Sequence, residues 1–107
     1  MKKQNWTVNN ILDQIDKIYI ITGATSGLGK AASRILAGKN ATVVLGVRNT
    51  KKAEAVKKEI REEYPDAILD IMELDLSDLS SIKRFACDFE KKYNRLDVLI
   101  NNAGVMM

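Results

Sequence analysis

Residues Thr22-Gly23-Ala24-Thr25-Ser26-Gly27-Leu28-Gly29 gather three glycines and three hydroxyls between an apolar run and an amphipathic one. A turn of this kind at a helix start presents backbone N–H groups and the positive end of the helix dipole, which suits a pyrophosphate. Gly23 then permits a tight exit from the strand, Gly27 lets the backbone approach the phosphates, and Gly29 lets the helix pack closely on the sheet. The spacing departs from the common G-x-G-x-x-G fingerprint, and it is not a P-loop. Ala24 stands where a P-loop's first glycine would be, and Ala31 where its magnesium-binding Ser/Thr would be. A plainer reading makes Gly27 and Gly29 helix-packing glycines with no ligand.

The elements that must position this turn are legible as apolar runs alternating with amphipathic stretches. The runs are Lys17–Thr22, Ala41–Leu45, Ala67–Met72 and Leu96–Ile100. The first is β-branched and nearly continuous, as a strand buried on both faces should be. Between the runs lie three helical patterns. The first carries Leu28, Ala31, Ala32, Ile35 and Leu36, with Gly38 where a C-cap glycine belongs. The second carries Ala53, Val56 and Ile60 and stops before Pro65. In the third, Ser77 or Asp78 caps a face of Leu79, Ile82, Phe85, Ala86 and Phe89.

This alternation predicts an α/β fold built of βαβ units. Right-handed crossovers put the first two helices on one face and the third on the other, with strand order 3-2-1-4. That is a partial Rossmann fold, a parallel sheet of about four strands with helices on both faces. Residues 1–16 read as an N-terminal arm with Trp6, Ile11, Leu12 and Ile15 available for docking, and 17–107 as the nucleotide-binding half-domain.

Three motifs in order resemble the short-chain dehydrogenases/reductases over roughly residues 6–107. Thr-Gly-x-x-x-Gly-x-Gly at 22–29 resembles their cofactor signature, Asn101-Asn102-Ala103-Gly104 their second signature, and Asp75-Leu76 a further family feature. The run Val44–Asn49 and the Trp6 arm look most like the retinol-dehydrogenase and WW-domain-oxidoreductase branch. The resemblance implies that Gly23, Thr25, Ser26, Gly27, Leu28 and Gly29 hold the phosphates and adjoining ribose. It implies that Asp75 accepts from the adenine amino group beside the Leu76 backbone. Asn102, Ala103 and Gly104 would lie along the ribose and nicotinamide. In related enzymes Asn101 or Asn102 mainly stabilises the central strand, and the division of labour between them stays open. Asp75 has a plainer reading as a turn or helix cap.

Cofactor choice falls near the end of the second strand. An acid there binds the ribose 2′-hydroxyl of NAD, whereas an arginine accommodates the 2′-phosphate of NADP. Residues 46–49 hold no acid and include Arg48 and Asn49, so NADP(H) is favoured over NAD(H). Arg48 could otherwise be a solvated loop residue.

The resemblance implies hydride transfer between a nicotinamide cofactor and an alcohol/carbonyl pair. Its proton chemistry needs a Ser and a Tyr-x-x-x-Lys pair downstream of Asn-Asn-Ala-Gly, the lysine lowering the phenol's pKa. Tyr19, Tyr64 and Tyr93 are followed four residues later by Gly23, Ile68 and Asp97. No catalytic residue is therefore expected in this chain, and the chain alone is expected to be inactive. The alternatives are a non-catalytic nucleotide-binding module, or an interaction subunit that self-associates or takes a complementary C-terminal half.

Composition narrows the remaining classes. The 107 residues fit one small domain, and 46% apolar content argues against disorder. The net charge of +3 comes from basic residues interleaved with acids, as in Lys57-Lys58-Glu59-Ile60-Arg61-Glu62-Glu63, so no nucleic-acid surface is expected. No histidine is present, which removes the usual zinc sites and a Ser-His pair, and no metal is expected. Cys87 is the lone cysteine and reads as inert. No apolar run approaches the ~20 residues of a membrane span, and no signal peptide is evident. The expected setting is cytoplasmic.

Overall fold

Strand and helix alternate without interruption in the computed structural model, which describes residues 14–25 and 27–102. The order is β1 (Ile18–Thr22), α1 (Gly27–Gly38), β2 (Thr42–Val47), α2 (Thr50–Glu63), β3 (Ile68–Glu73), α3 (Leu79–Lys92) and β4 (Val98–Asn101). The four strands form one sheet in the order β3-β2-β1-β4, all neighbours parallel, as the motif order predicts.

Successive side chains point to opposite faces of a strand, so each strand feeds two cores. Ile21, Val43 and Leu45 pack with Leu36 and Ala37 of α1 and Ala53, Val56 and Ile60 of α2. Ile20 and Val44 pack instead with Leu74 and with Phe85 and Phe89 of α3. The helices thus divide two and one, as right-handed crossovers require. Each buried aliphatic side chain contributes roughly 1.5–3 kcal/mol, so these two clusters hold the layers together.

Two helix faces depart from the expected ones. The buried residues of α1 are Gly29, Ser33, Leu36 and Ala37, while Leu28 is 79% exposed and Ala31 is exposed. Small residues set this face: the helix approaches closely at Gly29, and the Ser33 hydroxyl donates to the Gly29 carbonyl at 2.7 Å, so a serine can be wholly buried. In α3, Ser81 is buried with Phe85 and Phe89, whereas Leu79 is 66% exposed and Ala86 is exposed. Asp78 is the α3 cap, its side chain accepting from the Ser80 amide at 2.9 Å.

Gly38 is not a left-handed cap. It is the last residue of α1, and a Cβ there would lie 2.6 Å from the Tyr64 ring; the left-handed residue is Asn40, at φ 70°. Of the N-terminal arm only residues 14–16 are described. The Gln14 amide donates to the Lys39 carbonyl at 2.7 Å and its side chain accepts from the Tyr19 hydroxyl at 2.6 Å, while Ile15 is exposed. Trp6, Ile11 and Leu12 lie outside the described residues.

At the far end of the sheet Asp97 clamps β1 to the start of β4. Its carboxylate accepts from the Ile18 amide at 2.8 Å, and its own amide donates to the Ile18 carbonyl at 3.0 Å. Arg95 bonds both Asp97 and the Asp16 carbonyl.

Candidate functional site

The C-terminal ends of β1, β2 and β3 open on one side into a cleft. Gly23 leaves β1 at φ 60°, in the left-handed region that favours glycine, and its amide donates to the Gly46 carbonyl at the end of β2 at 3.1 Å. Gly27 opens α1 at φ 58°, and a Cβ there would meet nothing within 4 Å. Open space over a left-handed glycine at a helix start is what a closely approaching phosphate needs.

Gly29 is the opposite case. A Cβ there would fall on the Gly23 carbonyl oxygen and 2.6 Å from Asn102 Nδ2. The helix, the turn and the end of β4 meet at this point, as close packing at the third glycine predicts.

Asn101 and Asn102 divide their work clearly. The Thr22 hydroxyl donates to Asn101 Oδ1 at 2.9 Å and accepts from the Asn102 amide at 2.9 Å. The Asn102 side chain donates to the Gly23 carbonyl at 3.1 Å. Asn101 therefore ties β4 to β1, and Asn102 fixes the glycine turn itself. Thr22 opens the glycine signature in the sequence, but its part in tying β1 to Asn101 and Asn102 shows only in the fold.

The cleft encloses ≈ 1050 Å³, at the upper end of the ~300–1,000 Å³ usual for ligand pockets. Gly23, Thr25, Arg48, Asn49, Asp75 and Leu76 line it together, joined by Thr50, Lys51, Lys52 and Ser77. Gly29 and Asn102 reach it through Gly23, and Gly27 and Leu28 sit exposed at the adjoining helix start. Ser26, Ala103 and Gly104 lie outside the described residues.

Arg48 is exposed at the end of β2 and makes no hydrogen bond or ion pair with another described residue. Asn49 has a structural duty beside its place in the cleft: it caps α2, its side-chain oxygen accepting from the Lys51 amide at 3.1 Å and the Lys52 amide at 3.2 Å. A second oxygen lone pair spent on the helix leaves this side chain less to give a ligand.

Asp75 follows β3 and is half-buried. Its Oδ1 accepts from the Ser77 hydroxyl at 2.6 Å and the Ser77 amide at 3.0 Å, and its own amide donates to the Ser81 hydroxyl at 2.9 Å. The bonds from Ser77, with the Arg48 charge adding a smaller share, hold the carboxyl below its ordinary range. Ser77 and Ser81 were missed as site residues. The Asp-x-Ser spacing of an Asx turn could have found the first.

Comparison with known proteins places this geometry. The short chain dehydrogenase family model matches residues 17–107. The chain is 48% identical over 102 residues to short-chain dehydrogenase/reductase pkfC of Emericella nidulans, covering 94% of this chain and 33% of that protein. It is 43% identical over 91 residues to human retinol dehydrogenase 12, covering 85% of this chain and 29% of that protein. A short chain dehydrogenase from Shigella flexneri 2a, solved in complex with NADP, superposes with a TM-score of 0.78 at 33% identity, covering 87% of this chain and 39% of that one. The chain spans about a third of the length of the curated relatives it matches. With its cofactor-type turn, its sheet order and the matched family model taken together, the chain belongs to the short-chain dehydrogenase family.

Proposed function

We propose that this chain is the NADP(H)-binding N-terminal part of a short-chain dehydrogenase/reductase acting on an alcohol/carbonyl pair. The observation that carries the cofactor preference is Arg48, exposed on the cleft with no hydrogen bond or ion pair to another described residue, and with no acid at positions 46–49. A 2′-phosphate supplies the partner that a guanidinium grips best. The open Gly27 and the fixed Gly23 turn take the pyrophosphate, and Asp75 takes the adenine. Bound there, the nicotinamide would supply hydride chemistry. This chain's own part is to bind and orient the dinucleotide, since none of its tyrosines begins a Tyr-x-x-x-Lys pair.

Titration of the purified chain with NADP(H) and NAD(H), read by fluorescence or calorimetry, tests the reading. Arg48→Glu should weaken NADP far more than NAD. Losing one charge-assisted phosphate contact costs about 1.5–3 kcal/mol, roughly tenfold to a hundredfold in affinity. Equal affinities for the two cofactors in the unmutated chain would remove the preference.

A second reading, completion by another chain, rests on a different observation. Val98 and Leu99 of β4 are 38% and 57% exposed, and Leu79 of α3 is 66% exposed. We propose that this apolar side of the sheet takes a second copy or a complementary C-terminal half.

A further inference from the structure

Among the residues lining the cleft, Ser77 does something that neither the cofactor signatures nor the phosphate chemistry accounts for. Its hydroxyl and its amide both donate to the same oxygen of Asp75, at 2.6 and 3.0 Å. The other oxygen, Oδ2, has no hydrogen bond to a described residue. Two donors on one oxygen fix the carboxylate's rotation as well as its position, because both lone-pair directions of Oδ1 are spoken for. The backbone beneath is fixed in turn: the Asp75 amide donates to the buried Ser81 hydroxyl, and the Asp78 amide donates to the Asp75 carbonyl at 3.1 Å.

We propose that Ser77 is a positioning residue that turns Asp75 into a purine filter, holding one carboxylate oxygen so that the other accepts from a 6-amino group and rejects a 6-oxo group. The inference rests on the nucleotide-binding reading above and deepens it. An ionised carboxylate can only accept hydrogen bonds. Opposite adenine it meets a donor; opposite hypoxanthine or guanine it meets a second acceptor, and two unpaired acceptors in contact are costly. The discrimination depends on the carboxylate being unable to rotate its occupied oxygen into the site or swing away from a 6-oxo base. Ser77 supplies that restraint.

The experiment compares binding of NADPH and its hypoxanthine analogue to the full chain and to the Ser77→Ala, Ser77→Thr and Asp75→Asn variants, with a thermal melt of each. The unmutated chain is expected to prefer the adenine form by about tenfold, one good hydrogen bond's share of affinity. Ser77→Ala should lose most of that preference, chiefly because the freed carboxylate lets the hypoxanthine form bind better. Ser77→Thr, which keeps the hydroxyl, should restore it. Asp75→Asn, whose amide can donate to a 6-oxo group, should level or invert the order. If Ser77→Ala weakens both forms equally, or leaves the ratio intact, Ser77 is only a structural residue of the turn and the inference is overturned. If the unmutated chain binds both forms equally, the filter falls while nucleotide binding stands. If it binds neither, the reading of the cleft falls with it.

Discussion

The two edges of the sheet are finished in different ways. On the β3 edge the flank of α3 carries Arg84, Asp88 and Lys91, and the Asp70 carboxylate accepts from Lys92 at 3.0 Å and from the Tyr93 hydroxyl at 2.7 Å. Charge and a locked tyrosine guard that strand, the usual protection of an edge. On the β4 edge exposed apolar side chains take that place. Val98 and Leu99 of β4 are 38% and 57% exposed. One edge presents charge, the other exposed apolar side chains.

The largest effect that follows is on association. The unmutated chain is expected to self-associate in a concentration series read by light scattering. Leu99→Lys should shift that equilibrium toward monomer by a hundredfold or more, since two symmetric copies each lose about 1.5–3 kcal/mol of burial. Ile68→Lys, at the already exposed Ile68 of β3, should leave it within about twofold. A monomer at every concentration, or equal effects from both substitutions, would break the contrast between the edges.

A smaller effect separates two tight glycines of α1. Gly29→Ala drives a methyl into the Gly23 carbonyl and the Asn102 amide group, and backbone held from two sides cannot yield. It should cost about 1–3 kcal/mol, with a matching loss of nucleotide affinity. Gly38→Ala meets only the end of the Tyr64 ring, which can swing, so it should cost less and leave the nucleotide untouched. Paired thermal melts and titrations check both outcomes.

The smallest effect is on pH, and it has opposite signs at the two edges. Asp97 is held below its ordinary 3.8 chiefly by the Ile18 amide. Its folded value lies under the unfolded one, so its contribution is full above about that pH and is lost as the pH falls through the folded value. Tyr93 is raised above its ordinary 10.0 by burial first and by Asp70 second. Its contribution is full below that pH and is lost as the pH rises through the folded value. Melts across the range should show acid sensitivity that Asp97→Asn removes and alkaline sensitivity that Tyr93→Phe removes. Retention of both slopes in the variants would assign them to other groups.

The strand order and the division of helices between faces were legible because topology follows from alternation, buried β-branched runs and the handedness of crossovers. The faces of α1 and α3 were less so. Counting apolar residues favours Leu28, Ala31 and Leu79, whereas the buried faces are set by Gly29, which has no side chain, by Ser33, whose hydroxyl bonds one turn back in its own helix, and by Ser81, whose hydroxyl meets the Asp75 amide only once the fold exists. In the site, the glycine turn, Arg48 and Asp75 were readable as types at a spacing. Ser77 was not, because it acts on a neighbouring site residue; Thr22 was readable as part of the glycine signature and Asn49 as a polar cleft residue, but the bonds of Thr22 to Asn101 and Asn102 need the sheet to be seen, and the capping of α2 by Asn49 needs the helix.

The Thr22–Asn101 and Gly23–Asn102 bonds each span 79 positions of the chain. A ribosome therefore releases the glycine turn long before it releases the side chains that hold the turn in shape. Contacts this distant in sequence form late, after the entropy of closing the intervening chain has been met. During synthesis the cradle stays unfinished until Asn102 has emerged. A nucleotide that binds only the finished cradle then favours the last strand's pairing by mass action, acting as a ligand for folding as well as for chemistry.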